Sequence, residues 1–183
     1  TLPSYGQGAG IYLSASTATG NTVSNNSSAN TYGGGLYATS STVSNNTVSN
    51  NTVSGRCYGC GMYIETNSTA TGNTITGNVL TAGSSSSYGG GLYASSSTVT
   101  DNTISDNTLN GAYSVSGGGL YAYNCPTVTN NRVSGNTSTA SYYIEGGGVY
   151  QYDGSFTGNT VSNNSATSNS TSTSNDIEGG GVY

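Results

Sequence analysis

A short glycine-rich anchor, closed by an aliphatic residue and a tyrosine, recurs seven times along the chain and constrains its fold more than anything else in it. It reads Gly8-Ala9-Gly10-Ile11-Tyr12, then Gly33-Gly34-Gly35-Leu36-Tyr37, then Gly59-Cys60-Gly61-Met62-Tyr63. It continues as Leu92-Tyr93, Leu120-Tyr121, Val149-Tyr150 and Val182-Tyr183, each after three glycines. The Tyr-to-Tyr steps are 25, 26, 30, 28, 29 and 33 residues. That is a solenoid period: one unit that buries its apolar face only by stacking on its neighbours. The reading is a single domain over residues 1–183, with coils starting near residues 8, 33, 59, 89, 117, 146 and 179.

A second register runs inside each step. Thr42-Val43-Ser44-Asn45-Asn46 is followed at once by Thr47-Val48-Ser49-Asn50-Asn51, and the pair of units returns in later steps. Stacking the steps produces three apolar columns. One holds Ala18, Val43, Ala70, Val99, Val128 and Phe156; a second holds Val23, Val48, Ile75, Ile104, Val133 and Val161. The third comes from the anchor: Ile11, Leu36, Met62, Leu92, Leu120, Val149 and Val182. Two further slots contain only Gly, Asn or Asp: Gly20, Asn45, Gly72, Asp101, Asn130 and Gly158, then Asn25, Asn50, Gly77, Asp106, Gly135 and Asn163. Those residues tolerate a left-handed backbone, which marks both slots as corners between short strands. The slot after each corner is always Asn, from Asn21 to Asn159 and from Asn26 to Asn164. A carboxamide carries both donor and acceptor, so identical Asn residues stacked ~4.8 Å apart bond into a ladder. The fold class that follows is all-β, a right-handed parallel β-helix of about six coils with Asn ladders.

Composition agrees with a backbone-held repeat. Hydrophobic residues make up 32% and charged residues 5%, and Phe156 is the only Phe. Apolar content this low suits a disordered chain, but a disordered Asn/Ser/Thr tract has no reason to keep the register just described. With no Lys or His, and Arg56 and Arg132 alone as basic residues, the chain lacks the clustered charge that nucleic acid requires. No apolar run approaches the ~20 residues of a membrane span. No cofactor and no metal site are expected. The only Met is Met62, so a processed product or an excerpt is expected.

From each anchor Tyr to the second apolar column is 11 or 12 residues, so the length variation falls elsewhere. It lies in residues 27–32, 52–58, 79–88, 108–116, 137–145 and 165–178. Repeats place such insertions on one edge, read here as an edge of variable loops and a candidate binding edge.

Glycine anchors such as Gly33-Gly34-Gly35-Leu36, alternating with units such as Val43-Ser44-Asn45-Asn46, resemble the repeats of the chlamydial polymorphic outer-membrane proteins. Related repeats occur in autotransporter passengers and other secreted β-helix adhesins. The resemblance covers essentially the whole chain and implies cell-surface display and adhesion. A Tyr after every anchor departs from that pattern.

Several residues are candidates for function. Tyr12, Tyr37, Tyr63, Tyr93, Tyr121, Tyr150 and Tyr183 follow the inward aliphatic residue, so their rings should face out. A row five residues earlier holds Gln7, Tyr32, Tyr58, Tyr88, Ser116, Glu145 and Glu178. Such a strip either stacks on sugars or a neighbouring molecule, or simply covers and stabilises the strands. Glu145 and Glu178 sit in identical Ile-Glu-Gly-Gly-Gly-Val-Tyr segments. They form either a carboxylate pair ~5 Å apart, suited to a cation or to glycoside chemistry, or a solvated pair at the base of the longest loops. Cys57 and Cys60 suit a local disulfide, because Cys125 lies about two coils away, ~10 Å against a limit of ~7 Å; that leaves Cys125 free or available between molecules. Among the Asn-x-Ser/Thr sequons, Asn67 and Asn169 fall outside the corner and ladder slots and are the better glycan acceptors.

Three functions follow in order. The first is an extracellular structural subunit, carrying glycans, that associates head to tail into a surface or matrix filament and adds about 29 Å per copy. The second is an adhesin segment that binds glycans or a host surface through the Tyr columns and loops. A polysaccharide-active enzyme stands third.

Overall fold

The computed structural model describes residues 6–83, 85–169 and 176–183. Thr1-Leu2-Pro3-Ser4 and the middle of the last variable segment, residues 170–175, lie outside the described residues. The expected fold is present: an all-β parallel solenoid of about six coils, with no helix among the described residues. Each strand pairs in parallel with its counterpart one repeat on, as in Leu36↔Met62, Val43↔Ala70 and Val48↔Ile75. All three predicted columns hold this register.

One coil shows the plan. Its strands are Thr31–Tyr32, Leu36–Thr39, Thr42–Ser44, Thr47–Ser49 and Thr52–Val53. They belong to four walls: a first through Thr31–Tyr32, a second through both Leu36–Thr39 and Thr42–Ser44, a third through Thr47–Ser49 and a fourth through Thr52–Val53. A Thr-Val-Ser strand places its one β-branched apolar residue inside and two hydroxyls outside, the period-2 rule over three residues. Val43 and Val48 are fully buried, each contributing about 1.5–3 kcal/mol relative to exposure.

All twelve predicted corner residues have a left-handed backbone, for example Asn45 (φ 54°), Asp101 (φ 56°) and Gly135 (φ 68°). A further left-handed corner inside the second wall escaped the sequence reading, because Ala15, Ser40, Thr66, Ser96 and Asn124 share no residue type there. Behind it runs a buried row of Ser41, Ser68, Ser97 and Cys125. The backbone N–H groups of Ser16 and Ser41 donate to the next hydroxyl in that row.

The Asn ladders are complete. Asn46 donates its backbone N–H and its Nδ2 to Oδ1 of Asn73, at 2.9 and 3.1 Å, and Asn73 does the same to Asn102. Each inner Nδ2 also donates to a carbonyl of the preceding coil, Asn73 to Val43 O and Asn102 to Ala70 O. The second ladder repeats this through Asn26, Asn51, Asn78, Asn107, Asn136 and Asn164. A buried carboxamide thus has both donors and its acceptor satisfied, the condition under which burying it is not destabilising.

One expectation needs correction. The variable segments are not merely a loop edge but carry two strands per coil, the fourth and first walls, with a second core between them. That core contains Val53, Cys57, Cys60, Leu80, Leu109, Val115, Ala140 and Ile144. It is separated from the larger core of the second and third walls, which is built on the predicted columns plus Ala38, Ile64, Ala94 and Ala122. The division is steric. A Cβ on Gly35 would lie 2.6 Å from Asn51 Nδ2, and one on Gly91 would lie 2.7 Å from Asn107 Nδ2. The anchor therefore presses directly on the second Asn ladder and pinches the interior into two. Only glycine permits that approach. True loops shrink to short connections such as residues 54–56 and 112–114.

Candidate functional site: the outer tyrosine face

Outward alternation in the second wall sets the anchor tyrosines in one row, and the rise between coils brings their rings into contact. Tyr12, Tyr37, Tyr63, Tyr93, Tyr121, Tyr150 and Tyr183 stack with centroids 4.5–5.4 Å apart and planes within 2–18° of parallel. Tyr32, Tyr58 and Tyr88 of the first wall form a second stack. It meets the first edge to face, at Tyr32–Tyr63, Tyr58–Tyr93 and Tyr88–Tyr121.

The rings do lie on the outer side, yet Tyr37 is 4% and Tyr63 7% exposed. This corrects the picture of an open aromatic strip. From Tyr37 to Tyr150 each ring's faces are covered by the rings above and below, so solvent meets edges, whereas stacking on a sugar needs a free face. Burial raises the phenol pKa values of Tyr37, Tyr63, Tyr93 and Tyr121 above the ordinary tyrosine range.

Glu65 is the functional-looking residue that the sequence reading missed. It stands in the outer row of Ser14 and Thr39. Its carboxylate accepts hydrogen bonds from the hydroxyls of both Tyr37 and Tyr63, the latter at 3.0 Å. Next to burial, this carboxylate is the main cause of the raised pKa at both phenols. An acid occurring once in a row of hydroxyl residues leaves no periodic signal. Glu65, Tyr63, Tyr37, Tyr32 and Gln7 line a shallow cleft of about 290 Å³. Its walls offer hydroxyls, a carboxamide and a carboxylate, a set suited to a polar, neutral or weakly cationic ligand.

Glu145 and Glu178 pair in register in adjacent coils of the first wall. Ser116 Oγ donates to Glu145 at 3.0 Å, and the charge of Glu178 raises the pKa of Tyr183. Arg56 lies over Tyr58, 4.7 Å from the ring centroid, and its Nε donates to Ser86 O. Cys57 and Cys60 form a disulfide inside the second core. Cys125 is a free thiol, fully buried, with its Sγ 3.5 Å from Ala94 O and its pKa raised by burial. It fills the serine row and cannot reach another molecule, which corrects the idea that it is available between chains. Asn67 and Asn169 are both exposed. Asn67 itself sits at a left-handed corner (φ 58°), one the sequence reading did not recognise.

Among the described residues, no group of three or more His, Cys, Asp or Glu is placed to hold a metal, and no helix is long and apolar enough to cross a membrane. No curated protein and no solved structure matches the chain. The narrower likeness to chlamydial outer-membrane proteins and autotransporter passengers therefore rests on its motifs alone. The wider relationship is firm: residues 4–183 match the family described as right handed beta helix region, and the chain belongs to that family of β-helix repeat proteins.

Proposed function

We propose that this protein is an extracellular structural subunit, a rigid β-solenoid that associates head to tail with further copies into a surface or matrix fibre. The observation that carries the reading is the sameness of the bonding between coils. Any coil face presents the same rows of N–H, C=O and Asn groups, so a coil of a second copy fits it as the next coil of the same chain does. The Cys57–Cys60 disulfide suits an oxidising compartment. Exposed Asn67 and Asn169 are the places for attached glycans. The role is mechanical rather than catalytic: Glu65 and Glu145 already accept bonds from Tyr and Ser neighbours. Electron microscopy and fibre diffraction of concentrated protein should show unbranched rods with a ~4.8 Å axial repeat. Dispersed monomers in sedimentation at the same concentration would overturn the fibre.

One observation favours a second reading, a glycan-binding adhesin segment: the polar cleft of Gln7, Tyr32, Tyr37, Tyr63 and Glu65. A glycan array on the monomeric chain tests it, and silence across the array removes it.

A further inference from the structure

Beside the two stacks of the first and second walls, four other tyrosines pair on the surface. Tyr123 and Tyr152 continue the outer row of Ser95 in successive coils. Their rings lie 5.1 Å apart with planes 10° from parallel, and they are 38% and 52% exposed. Tyr113 and Tyr142 occupy the connections between the fourth and first walls of adjacent coils. There the backbone N–H of Tyr142 donates to Tyr113 O at 3.2 Å, which holds the two connections in step. Their rings stack at 5.5 Å and 10°, and they are 53% and 50% exposed.

We propose that these two pairs are oxidative cross-linking sites, each closing to a dityrosine that ties one coil to the next when a haem peroxidase and hydrogen peroxide act on the protein. Each phenol loses one electron and one proton to give a phenoxyl radical. The two radicals couple through a carbon–carbon bond between positions ortho to the oxygens. The two ortho hydrogens then move to the oxygens and restore both phenols. The two hydrogen atoms removed reduce one hydrogen peroxide to two waters.

Holding the rings in contact makes coupling within a chain far faster than encounter between chains, because the partner is already at van der Waals distance. Exposure decides which pairs react. A biaryl joins ring edges, so stacked rings must splay open before they bond. Tyr113, Tyr142, Tyr123 and Tyr152 have solvent to splay into. Tyr37 and Tyr63 are packed on both faces, and close-packed surroundings do not yield that movement. The inference stands apart from the fibre, since each bond forms within one chain.

The test is treatment of dilute, monomeric protein with horseradish peroxidase and hydrogen peroxide, followed by intact mass and peptide mapping. The expected product is a monomer lighter by two hydrogens per bond, with cross-links mapping to Tyr113–Tyr142 and Tyr123–Tyr152. Tyr142→Phe should lose the first link and Tyr152→Phe the second, since Phe keeps the ring but has no phenol to oxidise. Circular dichroism on both variants confirms that the fold is retained. Absence of dityrosine, links mapping to row neighbours such as Tyr63–Tyr93, products found only as dimers, or an undiminished yield in the double variant would each overturn the proposal.

Discussion

The two halves of the cross-section solve the same problem differently. In the second and third walls every coil keeps the same spacing to within one residue, the corners are left-handed, and Asn ladders close the backbone behind them. In the fourth and first walls the strands stay in register while the inward residues diversify. The fourth-wall row runs Ser28, Val53, Leu80, Leu109, Ser138 and Ala166. The first-wall row includes Thr31, Cys57, Ser87, Val115 and Ile144. The contrast separates two requirements. Directional hydrogen bonding holds the two ladder slots to one residue type at one separation, whereas apolar filling accepts any set of side chains whose combined volume closes the space.

Three experiments press on that contrast. Asn102→Ala attacks the ladder at its centre. It leaves the backbone N–H of Asn73 and one of its two Nδ2 hydrogens without an acceptor, and Ala70 O and Asn131 Oδ1 without a side-chain donor. Buried unsatisfied groups cost ~1–3 kcal/mol each, so equilibrium denaturant unfolding should show a loss of about 4 kcal/mol. A loss below about 1 kcal/mol would mean that the ladder decorates the corner rather than holding it.

Leu109→Ala and Ile104→Ala compare the two cores in a single coil, both side chains being fully buried. If the second core is a core in its own right, each variant loses about 3 kcal/mol. A much smaller effect at Leu109 would return that half to the status of a loop edge.

The smallest effect belongs to length. Three Gly/Ser residues inserted after Tyr113 double the connection formed by residues 112–114, which should lower stability by only about 0.6 kcal/mol. The same insertion between Asp106 and Asn107 would displace Asn107 from its bonds to Asn78 and Asn136. Equal tolerance at both positions would erase the distinction between the halves.

The ladder half was legible because its constraint is local. The two corner slots that precede the ladders hold only Gly, Asn or Asp, and the ladder slot holds Asn alone, so each leaves a residue type at a fixed offset, as at Asp106 and Asn107. The second core was not legible, because Val53, Leu80 and Leu109 share only apolar character and sit at offsets blurred by insertions. The Ser40–Ser41 corner hid for a related reason: a hydroxyl closes it as well as a carboxamide would, and Ser is common throughout the chain.

Periodicity in this sequence was enough to determine the β-helix, its three apolar columns, its two Asn ladders and the placing of Tyr residues in outer rows, because stacking like on like is a one-dimensional rule written along the chain. Which groups meet across the coil was decided only in three dimensions. The pinched waist at Gly35 and Asn51, the covering of the tyrosine faces, the grip of Glu65 on Tyr37 and Tyr63, and the burial of Cys125 each depend on how far one wall stands from another. That distance is set by side-chain volume and packing, which have no period to read.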